Sequence, residues 1–384
     1  MRPLHILLGG LLLAALVLTL RLRAAPPEAT LARALTPDAP TLDALDEPDV
    51  AAPAERTLRA PDAVPVPLGP AAQDSVFYGS KVVVAGEDVF VADIGDMRIK
   101  RFTLGGAWQN AIGRGEGDGP GELRVVIDFA VRGDTLIVTD HRARALSFFL
   151  RDGTFLRRLA TEDGYFYFAA GERALFVLTP LPSRMLGLAR RDGTGARWLG
   201  PLIARQEAGA DYYGLVNADL AALPAMAAAA PPTAAASSAA GERFLYVPHE
   251  ADRLYAFDAA GRLVRVAETV GRRGFPPPER GPDGLASAPT TAMGTSGVSW
   301  HGDALFVGAY VRGRRDEVTG EVVRRSAGFV DEYDRASLSY RHSYALPSPE
   351  VLRSAQVVAV GGGLRVYGTS GDGSGLLAFD LPAP

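Results

Sequence analysis

A pair of short strands that returns six times along the chain limits its fold more than any other feature. Its best-marked copy, residues 88–113, reads DVFVADIGDMRIKRFTLGGAWQNAIG. An apolar run ends at Asp93, residues 94–97 form a polar turn, and residues 98–104 alternate. Gly105 and Gly106 then break the chain before another run at 108–112. Short β-rich runs punctuated by Gly and Asp describe a meander of antiparallel strands. The first strand recurs as DVFVAD (88–93), TLIVTD (135–140), ALFVLT (174–179), RFLYVP (243–248), ALFVGA (304–309) and LRVYGT (364–369). The second recurs as RIKRFTLGG (98–106), ALSFFLRDG (145–153), MLGLARRDG (185–193), RLYAFDAAG (253–261), GFVDEYDRA (328–336) and GLLAFDLPA (375–383). The offsets between the two starts are 10, 10, 11, 10, 24 and 11 residues, and a near-constant offset in five of six units is the mark of a repeat architecture.

Further strands fit on both sides of each pair. Upstream they fall at 81–85, 125–131, 165–169, 298–300 and 355–360, while Ala-rich sequence obscures the fourth unit's copy. Downstream they fall at 108–112, 155–159, 196–199, 263–267 and 340–346. Four strands in each of six units predict an all-β chain, a six-bladed β-propeller of four-stranded antiparallel blades over residues 61–384. The sixth unit ends without its last strand, and residues 62–68, DAVPVPL, can supply it and close the ring. Closure matters because an open ring leaves unpaired strand edges. Two regions depart from the repeat. Residues 201–240 are expected as an insertion ending in a low-complexity run, and residues 310–327 as a projecting hairpin around Thr319-Gly320.

The first unit, VADIGDMRIKRFTLGGAWQNAIGRGEGDGPGELR (91–124), resembles an NHL repeat, with YWTD-type six-bladed propellers a close second. The resemblance covers residues 88–160 and 243–275. It implies that the recurring Arg98, Arg144, Arg184 and Arg253 are structural buttresses between blades, and that the glycine run 113–121 is an inter-blade loop. The run is not a phosphate cradle. It lacks both the GK[ST] step and a βαβ setting, and Glu116, Asp118 and Glu122 would repel phosphate.

Ahead of the propeller, Arg2 and His5 precede an uninterrupted apolar run, residues 6–20, followed by Arg21 and Arg23. Residues 1–23 therefore read as a signal peptide or an N-terminal membrane anchor forming an apolar helix. The surplus of arginine after the run favours an inside C-terminus, whereas a lone apolar segment before a β-domain favours export, which is the expectation here. Residues 24–60 are rich in Ala, Pro, Asp and Glu without one aromatic residue, and are expected to be a disordered linker. A net charge of −4 and pI near 5.8 give no basic field for nucleic acid. The absence of cysteine excludes disulfides and thiolate chemistry. Only Lys81 and Lys100 are lysines, so 40 − 2 = 38 of the basic residues are arginine.

Histidines give the sharpest chemical candidate. His141 and His249 hold matching places just past the first strand of units two and four, where loops face one mouth of the channel. With Asp140, Asp93 or Glu250 they could hold zinc or iron. The amidating lyases among NHL-like enzymes use histidines in this manner. A calcium site is disfavoured by the presence of only two asparagines, Asn110 and Asn217. Arg312, Arg314, Arg315, Arg324 and Arg325 on the long turn of unit five could grip an anion by bidentate contacts. The resulting expectation is a monomeric, non-catalytic binding or interaction scaffold without a cofactor. It would be exported, periplasmic or at the cell surface, with membrane contact through the N-terminal segment alone. It would receive a protein, a peptide or an anionic ligand at the channel mouth through His141, His249 and the five arginines. The alternative is a metal-dependent lyase or hydrolase with a mononuclear zinc, iron or calcium site, and the third reading is a structural cell-envelope component.

Overall fold

The computed structural model describes residues 49–161, 164–179, 185–190, 193–199, 218–224, 241–249, 253–271, 279–280, 286–287, 293–311, 314–315, 322–323, 327–347 and 352–383. The chain divides into two units, residues 1–39 and 40–384, and all described residues belong to the second. In that unit six antiparallel sheets follow one another as the blades of a propeller. Blade 1 consists of Gly79–Ala85, Asp88–Asp93, Arg98–Thr103 and Trp108–Ile112, and blade 2 of Val126–Arg132, Thr135–Asp140, Ala145–Leu150 and Phe155–Ala160. Blade 3 consists of Tyr167–Ala170, Ala174–Leu178, Leu186–Arg190 and Arg197–Trp198. Blade 4 consists of Ala218–Leu223, Arg243–Pro248, Arg253–Asp258 and Leu263–Glu268. Blade 5 contains Met293–His301, Ala304–Val311, Ala327–Asp334 and Tyr340–Ala345, and blade 6 contains Arg353–Val360, Gly363–Thr369 and Leu376–Leu381. The first strands of successive blades pack against one another around the axis.

The second strand of each blade is apolar on both faces because both faces are covered. In Asp88–Asp93, Val89 and Val91 point into the layer shared with blade 6, while Phe90 and Ala92 point into the layer shared with blade 2. Six such layers, one per junction, form the core among the described residues. A strand buried on both faces reads as a continuous run, so these strands were the ones the sequence marked best. Fourth strands such as Phe155–Ala160 lie half exposed at the rim and are correspondingly polar.

Residues 62–68 close the ring as expected. Val64 and Pro65 pair antiparallel with Asp380 and Phe379, giving blade 6 its fourth strand. The same segment begins its contact with the ring much earlier. Val50 bridges in parallel to Ala267 on blade 4, and Leu58–Arg59 adds a parallel fifth strand to blade 5. Arg56 anchors this strap: its Nε and Nη2 donate to the two carboxylate oxygens of Asp331 at 2.8 and 2.9 Å, and it lies over the Phe329 ring. Residues 49–60, expected in the disordered linker, are therefore held against blades 4 and 5. Their composition offers little to bury, but backbone pairing to a free strand edge and one ion pair do not need an apolar face.

A second correction concerns residues 201–240. Within this expected insertion, Ala218–Leu223 is the first strand of blade 4, paired along its length with Arg243–Pro248. Its ADLAAL sequence looks like low complexity, yet small side chains suit strands converging on an axis. The expected hairpin in blade 5 is present: Arg314–Arg315 pairs with Val322–Val323.

The turns between third and fourth strands fix the blade spacing at the lower end, where first strands finish and second strands begin. Gly261 has φ +74°, and a Cβ there would come within 2.5 Å of the Leu199 side chain on blade 3. Only glycine fits both the backbone angle and the approach. Of the expected arginine buttresses, Arg98 donates to the Arg114 carbonyl where blade 1 leads into blade 2, and Arg253 pairs with Glu268 inside blade 4. The inter-blade arginines are others: Arg151 reaches Ala85 and Asp88 from blade 2, and Arg197 reaches Ala260 from blade 3. Arg184 lies outside the described residues.

Replacing Arg56 by alanine leaves Asp331, 2% exposed, without its cation. The expected cost is about 3–5 kcal/mol, the usual result of breaking one side of a buried pair. Urea unfolding of Arg56→Ala beside wild type reads it directly.

Candidate functional site

The first strands do more than line the axis. Four of them carry a register shift near their upper ends, at Gly79/Lys81, Val126/Phe129, Thr295/Val298 and Arg353/Gln356. Such bulges turn a side chain out of its normal alternation. They also leave inner-edge amides to satisfy, and side chains from the neighbouring blade take them. Val82 N donates to Ser354 Oγ, Phe168 N to Asp128 Oδ2 and Val357 N to Ser299 Oγ, each at 2.9 Å.

At this height the axis is crossed by charge. Lys81 of blade 1 places Nζ 3.3 Å from Asp128 of blade 2 and 3.7 Å from Asp219 of blade 4. Blades 1 and 4 are opposite in a six-membered ring, so side chains fill the channel at this level. Asp219 in turn holds Nε2 of His249 at 3.0 Å. Tyr167 from blade 3 packs beside His249, with ring centroids 6.4 Å apart.

The environments push these groups apart. Burial works against the Lys81 ammonium, but Asp128 and Asp219 outweigh it, and the lysine titrates above its ordinary value. Burial dominates at Asp128 and raises it despite Lys81 and two backbone amides. At Asp219 burial is more than offset by His249, Lys81 and the Gly297 amide, so this carboxyl lies below the usual range. Burial, with both carboxylates nearby, raises Tyr167. Opposite shifts of two carboxyls across one ammonium are the electrostatic signature of a buried ion-pair network.

The two histidines expected to converge do not. His141 packs against Phe166 with the rings tilted and their centroids 4.1 Å apart, Phe166 contacts Tyr167 at 6.0 Å, and Tyr167 contacts His249, so two aromatic rings stand between the imidazoles. Nor do the proposed carboxylate ligands turn toward them. Asp93 accepts the amides of Phe77, Tyr78 and Gly95 and the Lys100 ammonium. Asp140 accepts the amides of Arg124, Val125 and Ala143. Both aspartates clamp the loop entering one first strand to the end of the second. Glu250 lies outside the described residues, among which no group of three His, Asp or Glu side chains is gathered as metal ligands. Arg312, Arg324 and Arg325 are likewise outside them, while Arg314 and Arg315 sit on one arm of the hairpin, paired with Val323 and Val322.

Sequence reasoning missed Lys81, Asp128 and Asp219. A signal existed: one of only two lysines, and single carboxylates in otherwise apolar or Ala-rich first strands (VIDFAVR and ADLAAL).

Above this network lies the mouth. Phe77 is 61% exposed and covers the Lys100 ammonium at 4.1 Å, and Arg353 lies over Tyr78 at 5.1 Å. Together with His141, Phe166 and Tyr167, these groups put a band of aromatic rings at the upper end of blades 1, 2 and 3.

No family model matches the sequence, and no curated protein matches it. Among solved structures, a member of the DUF4221 family from Bacteroides vulgatus superposes with a TM-score of 0.55 at 12% identity, over 85% of this chain and 98% of that one. An exported-protein candidate from Bacteroides fragilis superposes with a TM-score of 0.55 at 11% identity, over 87% and 99%. At such identities the likeness shows the propeller fold and nothing finer.

Two outcomes follow for the channel. Lys81→Met leaves two carboxylates facing each other and is expected to cost about 3–5 kcal/mol in urea unfolding, with partial recovery on adding Asp128→Asn. His141, whose pKa burial lowers from 6.5 to about 4, stays neutral in the fold while the unfolded chain takes up a proton first. Stability present above the unfolded value is thus lost as pH falls toward the folded one. Between pH 7.5 and 5 the loss is expected to be roughly 1–2 kcal/mol, and His141→Phe should remove that component of the pH dependence.

Proposed function

We propose that this chain is a non-catalytic binding scaffold, an NHL-like propeller that receives a protein or peptide segment at the aromatic mouth above Lys81 and Asp219. The observation that supports this is the exposed Phe77 within a band of rings at one end of the channel, above an axis closed by side chains. Exposed aromatic side chains on a rigid ring cost little entropy to bury and dominate recognition surfaces. The 310–327 hairpin continues the second and third strands of blade 5 at the same end and flanks the mouth in this reading. Its arginines would then select acidic groups on the partner.

The location proposed is outside the cytoplasm, either released or held by residues 1–23. The exported-protein candidate from Bacteroides fragilis shares the fold, which supports this reading. No helix among the described residues is long and apolar enough to cross a membrane. The apolar run at 6–20 lies outside them.

Affinity capture from envelope extracts with the full chain tests the proposal. Phe77→Asp is expected to weaken retention of specific partners about tenfold, the effect of losing an anchor side chain, with little change in melting temperature because that residue is 61% exposed. Deleting 312–325 should abolish capture of acidic partners alone. Full retention by both variants would exclude the upper mouth as the binding surface.

A further inference from the structure

The opposite end of the ring holds a group of charges that the mouth does not use. Among the described residues Lys100, Arg243 and Arg335 are buried cations, at 3%, 3% and 5% exposure, and the Arg56 side chain beside Asp331 is 8% exposed. Lys100 has Asp93 and Asp96 as counter-charges. Arg243 and Arg335 have no carboxylate within ion-pair distance among the described residues, and they are neighbours at the lower junction of blades 4 and 5.

Their hydrogen bonds go to carbonyls. Arg243 donates to Ala336 O at 3.0 Å and to Arg335 O. Arg265, on the outer strand of blade 4, donates to Ala336 O at 3.3 Å and to Ser337 O at 2.9 Å. Arg335 donates to Gly302 O at 3.1 Å and to Pro224 O, and lies 4.4 Å from the centroid of the Trp300 ring. Its Nε is buried with no hydrogen-bond partner. The nearby acids are engaged elsewhere: Asp303, Glu332 and Asp334 all pair with Arg341. The stretch 225–240, which leaves Pro224 and returns just before Arg243, contains no Asp or Glu, so it brings no counter-charge of its own.

Carbonyl dipoles orient a guanidinium but do not neutralise it, and burying uncompensated charge is costly. At Arg243 burial, with Arg335 and Arg265 beside it, outweighs the attraction of Asp334 and lowers the pKa. A simple buttress explains the hydrogen bonds to residues 335–337, but it explains neither three converging cations nor the unpartnered Nε. We propose that this junction binds a small oxyanion, a phosphate or carboxylate group, seated against Arg243, Arg265 and Arg335 beside Trp300. Guanidinium groups suit such ligands because they offer forked, charge-assisted donors.

The test titrates the full-length chain with inorganic phosphate, citrate and chloride at constant ionic strength, followed by calorimetry and tryptophan fluorescence. Saturable binding of phosphate or citrate but not chloride is expected, and the anion that binds identifies the group. The fluorescence change should vanish in Trp300→Phe. Arg265 is only partly buried, so Arg265→Gln should fold and bind about tenfold more weakly, the loss of roughly one charge-assisted hydrogen bond. Absence of saturable binding to wild type would overturn the site. Equal responses to chloride and phosphate, or unchanged affinity in Arg265→Gln, would do so as well.

Discussion

Ring closure is the constraint on which the rest of this molecule depends. Every blade is stable because its second strand is covered on both faces by its neighbours, and that is true of blades 1 and 6 only if the ends of the ring meet. The chain joins them with Val64 and Pro65, one strand contributed from the N-terminal side to a sheet otherwise built from the C-terminal end. The cost of closing so long a loop grows only slowly with its length. The strap that precedes the closing strand spreads the joint over blades 4, 5 and 6, with the Arg56–Asp331 pair buried at its centre. A single two-residue pairing would be a weak latch. A latch that begins fifteen residues earlier is harder to open by fraying.

The axis shows a related economy. First strands present inner edges to the channel, and their amides need acceptors. Ser354, Ser299 and Asp128 supply these from adjacent blades. Once Asp128 and Asp219 are buried there, a cation must accompany them, and Lys81 does so. The compact ammonium fits a narrow axis where a planar guanidinium would not. Both lysines in a chain of 38 arginines are half or fully buried between carboxylates, Lys81 at the axis and Lys100 under Phe77. Channel chemistry and channel packing are therefore the same set of contacts.

The two ends of the ring differ in kind. The upper end combines an exposed phenylalanine, a row of rings and a histidine held by a carboxylate. The lower end combines tight glycine turns with arginines donating to carbonyls of neighbouring blades. The first arrangement offers area to a partner, whereas the second fixes spacing and, between blades 4 and 5, gathers more positive charge than its own acids balance.

Much of the fold was legible in the sequence, because a strand buried on both faces must be apolar throughout and its turns must carry Gly and Asp. That is why DVFVAD, TLIVTD and their relatives located the blades, and why DAVPVPL could be recognised as the missing strand. The aspartates at 93 and 140 were equally visible, but their role was not. Clamping an amide and ligating a metal need the same side chain, and only its neighbours tell them apart. The site was not legible. Lys81, Asp128 and Asp219 are 47 to 138 residues apart in the chain and meet only because the ring brings blades 1, 2 and 4 to one axis. His141 and His249, in matching positions of their units, are kept apart by Phe166 and Tyr167, which no spacing rule places there. Periodicity is a local property and survives in the sequence, while the meeting of charges across an axis is decided by tertiary structure alone.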